Sequence, residues 1–163
     1  MAGLPAIFVF GRTHRMNHAF LHRPVVATGG PHATQIGSHI SLATHLPVDG
    51  GRRTVGISRR ADESVFIDVV TQTRAALQNL LDTLADLGTG SDHLLELTVQ
   101  LRHHGDIPMV EAAIATALGP EAPVRHYLCL ADLHHRHYLV QIHGRAVAPA
   151  ATPSPTGGEN VTP

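Results

Sequence analysis

The sequence predicts one α+β domain in which two helices cover one face of a mixed sheet. Three observations predict it: apolar residues at helical spacing over 66–84, an alternating strand pattern over 95–101, and an amphipathic segment over 107–118 followed by two further strand patterns. The length of 163 residues and the hydrophobic content of 43% are sufficient for a single folded core.

Short strands separated by turns are predicted before the long helix. Residues 25–27 form the first strand, which Gly-Gly-Pro ends, and 39–46 form the second, which Pro47 ends. A third short strand is predicted at 54–57, after a Gly-rich turn.

The long helix has Asp62 or Ser64 as its candidate N-cap and Gly88 or Gly90 as its end. Its apolar face begins at Phe66.

After strand 95–101, a shorter helix begins at Ile107, with Pro108 in its first turn. Strands at 124–132 and 137–147 close the domain. The predicted element order is therefore β-β-(β)-α-β-α-β-β.

The two ends of the chain differ from the middle. Residues 1–23 are predicted to be an irregular, His-rich N-terminal extension, in which Met16 is an alternative start, and 24–148 form the domain. Residues 149–163 are rich in Pro, Gly, Thr and Ala and are predicted to be a disordered tail.

Composition excludes several function classes. A net charge of −1 provides no basic field for nucleic acid or an anionic membrane. All 12 basic residues are Arg, which removes catalysis through a lysine Schiff base. The single Cys129 cannot form an internal disulfide, and we expect it to be a buried structural thiol. The apolar stretch 4–10 is too short to span a bilayer, so we expect a cytoplasmic protein.

Fourteen histidines raise the question of a metal site. They include two clusters: His14, His18 and His22; and His134, His135 and His137. Few Asp and Glu residues lie near either cluster, so we expect solvated histidines, no metal and no cofactor.

A series of motifs in consistent order resembles the RidA (YjgF-type) family of reactive-intermediate deaminases over 24–148. The matching segments are Gly30-Pro31 with Gln35, Gly37 through Pro47-Val48, Asp68 through Leu80, Leu97-Thr98-Val99, Pro123-Val124-Arg125, and Val140 through Ala148. The resemblance implies a chorismate-mutase-like fold, a barrel-like homotrimer, and hydrolysis of enamines and imines in clefts between subunits.

The resemblance assigns the substrate carboxylate to Arg125, whose planar charged fork suits such an anion. Gln141 stands at the position where the family has the glutamate that holds the attacking water. A glutamine can orient water, but it cannot accept a proton. The family's asparagine on the second helix corresponds to Glu111. His45 and Glu111 are therefore candidates for acid–base catalysis if they face the cleft.

Thr44 and Tyr127 replace smaller family residues and are candidate substrate contacts, or Tyr127 packs only at a subunit boundary. We expect Arg125, Tyr127 and Cys129 on the sheet face without helices, which a homo-oligomer would bury. Three functions stay open: hydrolytic deamination of an anionic imine, cyclisation, tautomerisation or dehydration of an unstable biosynthetic intermediate, and non-catalytic or chaperone-like binding.

Overall fold

The computed structural model describes residues 7–13, 16–22, 31–119 and 122–149. The strands and helices in these ranges are, in chain order, β1 (Ile7–Thr13), β2 (Met16–His22), β3 (Ala33–Ile36), β4 (His39–His45), β5 (Ile57–Arg59), β6 (Val65–Ile67), α1 (Val69–Asp86), β7 (Leu94–Leu101), α2 (Ile107–Leu118), β8 (Val124–Cys129) and β9 (Val140–Val147).

Seven strands form one mixed sheet in the order β1-β2-β3-β4-β9-β7-β8, and β5 and β6 form a separate hairpin. Neighbours in the large sheet are antiparallel except β7 and β8, which run parallel because α2 forms the crossover between them. The apolar faces of α1 and α2 share one core with β4, β7 and β9. The predicted α+β class, with a mixed sheet and two helices on one face, is confirmed.

The long helix α1 begins later than the sequence predicted. Its N-cap is Asp68, whose carboxylate accepts a hydrogen bond from the amide of Val70 at 2.9 Å. Asp62 instead accepts the amide of Ser64 at 3.0 Å in the β5–β6 turn. Phe66 lies in β6 and is 46% exposed, so its assignment to the helix face was wrong.

Polar side chains of α1 hold two loops against the helix. The buried amide of Gln72 donates to the carbonyls of His137 at 2.8 Å and Val55 at 3.2 Å, and it accepts from the amide of Leu139 at 2.8 Å. Asn79 donates to two carbonyls of the loop after β4, both at 2.9 Å. The loop before β9 is therefore fixed to the core through Gln72.

The N-terminal region contains regular structure where the sequence predicted none. β1 and β2 form an antiparallel hairpin, and β2 pairs with β3, a strand that the sequence analysis did not identify. The predicted strand at 25–27 and residues 150–163 of the predicted tail lie outside the described residues. In the described part of the chain, neither helix combines the length and apolar character that crossing a membrane requires.

Candidate active site

β8 directs Arg125 and Tyr127 to the helix-covered face of the sheet. In the register with β7, Arg125 lies opposite Leu97 and Tyr127 opposite Val99. Both β7 residues are completely buried in the core under the helices. The expectation that Arg125 and Tyr127 lie on the other face was therefore wrong. Alternation separates two sets of side chains, but it does not specify which set the helices cover.

The guanidinium of Arg125 forms a two-pronged ion pair with Glu111 of α2. Nε donates to Oε2 at 3.0 Å, and Nη2 donates to Oε1 at 2.5 Å. Nη1 donates to the carbonyl of Pro123 at 3.4 Å. The side chains of Arg125 and Glu111 are 23% and 38% exposed, so the pair lies in a partly open position. Two residues that the sequence analysis singled out are thus in direct contact.

Tyr127 completes this group, because its hydroxyl donates to Oε2 of Glu111. The hydrogen bond from Tyr127 lowers the pKa of Glu111; desolvation opposes this effect, and the contact with Arg125 adds to it. Burial, and then the neighbouring carboxylate, raise the pKa of the Tyr127 hydroxyl. At neutral pH the group therefore contains a carboxylate with three donors around it and a protonated phenol.

Part of the Arg125 guanidinium is not engaged by Glu111 or Pro123. A guanidinium carries five N–H bonds, and three of them are directed at these two residues. The Tyr127 hydroxyl also lies within hydrogen-bonding reach of the guanidinium. Within the described residues, Nη1 and Nη2 each have one N–H outside the bonds to Glu111 and Pro123, which suits an oxygen atom of a ligand. The formal charge of the pair is zero, so Glu111 reduces the attraction that Arg125 alone would exert on an anion.

Gln141 lies in a second polar group, on the opposite face of the sheet. Its neighbours on β9, Val140 and Ile142, are buried in the core, so alternation directs Gln141 away from the helices. Its amide nitrogen donates to Oε1 of Gln100 on β7, directly across the strand pair. Its oxygen lies 2.8 Å from Nδ1 of His134 in the loop before β9.

His45 is a core residue. The pairing of β4 with β9 shifts register between Leu42 and His45, so both side chains face the core. The ring of His45 has no exposed surface, and its nitrogens lie 2.7 Å from the carbonyl oxygen of Ala43 and 2.8 Å from the hydroxyl oxygen of Thr83. The hypothesis that His45 exchanges protons in a cleft does not fit this position. Thr44 is half-buried within the register shift and is not among the described hydrogen-bond partners of Arg125.

Two residues of the Gln141 group were not predicted from the sequence. His134 was expected to be one of a cluster of solvated histidines, and Gln100 lies in the alternating strand pattern over 95–101 without an assigned role. The register Gln100↔Gln141 brings the two amides together, and a pairing register cannot be obtained from one strand alone.

Other predictions concerned cysteine and metal. Cys129 is exposed, not buried as expected, because it ends the edge strand β8 opposite Leu101. Among the described residues, no group of three or more His, Cys, Asp or Glu side chains is arranged to hold a metal ion.

The chain is an α+β domain in which two helices cover one face of a mixed sheet and a polar group lies on the edge strand. No family model matches the sequence, and no curated protein matches it. Solved structures do match. The yeast protein YEO7 is 16% identical, with a TM-score of 0.67 over 77% of this chain and 92% of that protein.

A candidate endoribonuclease L-PSP from Entamoeba histolytica is 18% identical, with a TM-score of 0.65 over 77% of this chain and 92% of its own. RidA from the Antarctic bacterium Psychrobacter is 14% identical, with a TM-score of 0.63 over 77% and 93%. The chain therefore has the RidA fold that the sequence motifs predicted.

Proposed function

We propose that this protein is a RidA-like enzyme that hydrolyses a reactive imine, or the imine tautomer of an enamine, to a carbonyl compound and ammonia. The observation that supports the proposal best is the partly open guanidinium of Arg125, held on the edge strand of a RidA fold with one N–H on each of Nη1 and Nη2 outside the bonds to Glu111 and Pro123. A carboxylate or other negatively charged oxygen group of the substrate would bind these N–H groups through hydrogen bonds.

The proposed site is shared between copies of the chain. Arg125 and Gln141 lie on opposite faces of one sheet, so a cleft that uses both must combine the Arg125 side of one copy with the Gln141 side of another. A closed ring of three copies, as the resemblance implies, satisfies this requirement.

The helix-free face of the sheet has apolar residues that support such an assembly. Val124 is 64% exposed and Leu128 is 47% exposed on β8, and Ile36 is 45% exposed at the far side of the sheet. Burial of these side chains would favour association.

The experiment follows the decay of 2-aminoacrylate, generated in situ, with and without the protein. We expect the wild type to accelerate release of pyruvate and ammonia, and Arg125→Gln to reduce the acceleration at least tenfold. Arg74→Gln, on the exposed side of α1, is the matched control and should keep full activity. Decay at the buffer rate with wild-type protein would exclude simple deamination.

A second candidate is cyclisation or tautomerisation of an unstable intermediate in a biosynthetic pathway. The observation that favours it is the Tyr127–Glu111 pair, which places an aromatic ring and a carboxylate beside Arg125. Such a site would bind a substrate that contains a ring. An assay with that substrate should then detect a cyclised or tautomerised product without release of ammonia.

A further inference from the structure

We propose that His134 is the general base that activates the hydrolytic water, and that Gln141 is the positioning residue that fixes its tautomer. The inference rests on the proposed hydrolytic function and assigns to His134 the proton transfer that a neutral amide at position 141 cannot perform.

The orientation of the Gln141 amide follows from its neighbours. The backbone amide of His134 points to the same Gln141 atom as the ring nitrogen does, at 3.5 Å. A backbone N–H can only donate, so the atom that faces it must be the Gln141 oxygen. The Gln141 nitrogen then faces Oε1 of Gln100, which is an acceptor. The Gln100 amide is consistent with this orientation, which the backbone N–H of His134 determines.

That orientation determines the protonation of the His134 ring. Because the Gln141 oxygen only accepts, Nδ1 of His134 at 2.8 Å must carry the hydrogen. In a neutral imidazole the lone pair is then on Nε2. His134 is exposed, and within the described residues Nε2 makes no hydrogen bond. Nε2 is therefore a basic nitrogen that faces solvent, while Nδ1 on the other side of the ring is hydrogen-bonded to Gln141.

Buried hydrogen bonds anchor the support behind His134. Gln141 is 3% exposed and lies in the central strand β9. The loop that carries His134 is attached to α1 by the buried amide of Gln72, through the carbonyl of His137 and the amide of Leu139. A base oriented by an amide and carried on an anchored loop has the geometry that general-base catalysis needs.

The reaction step balances without a co-reactant. Water adds its oxygen to the imine carbon as the C=N electron pair moves to nitrogen, while Nε2 of His134 takes one water proton and passes it to that nitrogen, which gives the neutral carbinolamine. Nε2 then takes the hydroxyl proton of the carbinolamine and delivers it to the amine nitrogen, and the C–N bond breaks as the C=O bond forms. The products are a carbonyl compound and ammonia, and His134 is neutral again.

The charged and titratable groups around His134 lie on its own loop and at the end of β7. Arg102 and Asp132 form an ion pair at 3.7 Å, and Asp132 is 91% exposed. His135 and His137 stack edge to face with ring centres 5.2 Å apart. Burial, and then the charges of Arg136, His135 and Arg102, lower the pKa of His137. None of these groups makes a hydrogen bond to the ring of His134.

The first test is the tautomer of His134, which nitrogen NMR of the full-length wild-type protein reports directly. We expect neutral His134 to carry its hydrogen on Nδ1, which is the minor form of free histidine. Gln141→Leu should return the ring to the Nε2–H form, while Gln141→Glu should retain Nδ1–H. A wild-type ring protonated on Nε2 would overturn the assignment.

The second test is imine hydrolysis by His134→Gln, with His135→Gln as the matched control from the same loop. We expect His134→Gln to lower kcat about 100-fold or more with little change in KM. Added imidazole should restore part of the rate, which a purely structural loss would not allow. His135→Gln should retain the rate and the pH profile of the wild type.

The outcomes separate the two proposals. If Arg125→Gln abolishes hydrolysis while His134→Gln keeps the wild-type rate and pH profile, the role of His134 is wrong and the hydrolytic function stands. If wild-type protein hydrolyses no imine, both are wrong.

Discussion

Glu111→Gln should raise the affinity of the Arg125 site for a monocarboxylate such as propanoate roughly tenfold. A carboxylate on the adjacent edge of the planar guanidinium would lie about 7 Å from the carboxylate of Glu111, measured between the two carboxylate carbons. Like charges at that distance repel by about 0.6 kcal/mol in water and about 2.4 kcal/mol at the effective dielectric constant of a protein surface. Because the side chain of Glu111 is 38% exposed, we expect a value between these limits. A repulsion energy of about 1.4 kcal/mol, which lies within this range, corresponds to a tenfold change in the affinity for propanoate.

Titration calorimetry with propanoate and with uncharged propanamide measures this effect. Propanoate should bind Glu111→Gln more tightly than it binds the wild type, while propanamide should bind both proteins equally. Tyr127→Phe is the control, because it removes one hydrogen bond to Glu111 and leaves the charge in place. Equal propanoate affinities for wild type and Glu111→Gln, together with loss of binding in Arg125→Gln, would refute the electrostatic reasoning.

Three further predictions concern stability, measured by urea unfolding. Gln72→Leu should cost about 2–4 kcal/mol because three backbone partners lose their hydrogen bonds, whereas Gln78→Leu on the exposed side of α1 should cost under about 1 kcal/mol. Gly144→Ala should cost about 1–3 kcal/mol, since an added Cβ would lie 2.6 Å from a backbone oxygen of β7. Asp68→Ala should cost about 1 kcal/mol at neutral pH through loss of the helix cap. Since a hydrogen bond from Thr71 lowers the pKa of Asp68, this difference should be complete above about pH 4 and should disappear as the pH falls through the lower folded value.

Elements with strong periodicity were predicted well. The helix at Ile107, with Pro108 in its first turn, and the strand through Leu97 and Val99 were found as expected. Each element buries its apolar face, so the spacing of apolar residues in the sequence matches the spacing of buried positions in the structure. The third strand, predicted at 54–57, lies instead at Ile57–Arg59 as β5, and its partner β6 was missed because Phe66 is spaced compatibly with the helix that follows.

The site was predicted less completely, for two physical reasons. The contact of Arg125 with Glu111 joins residues on β8 and α2, and the resemblance placed both in the site without indicating that they bind each other. His45 illustrates the second reason. Simple alternation along β4 gives the wrong face for this ring, because a register shift adds one residue between Leu42 and the end of the strand.

Two of the departures of the site from the RidA pattern, at positions 111 and 141, concern the location of one negative charge. By the resemblance, a glutamate position is neutral here at Gln141 and an asparagine position is acidic at Glu111, so the carboxylate has moved to the arginine side of the site. There it accepts hydrogen bonds from Arg125 and Tyr127, and its lowered pKa makes it a weak base. A carboxylate held in this way is a poor base for activating water, so the proposed hydrolysis requires a base from elsewhere. Among the described residues in contact with Gln141, His134 is the one with a basic nitrogen facing solvent.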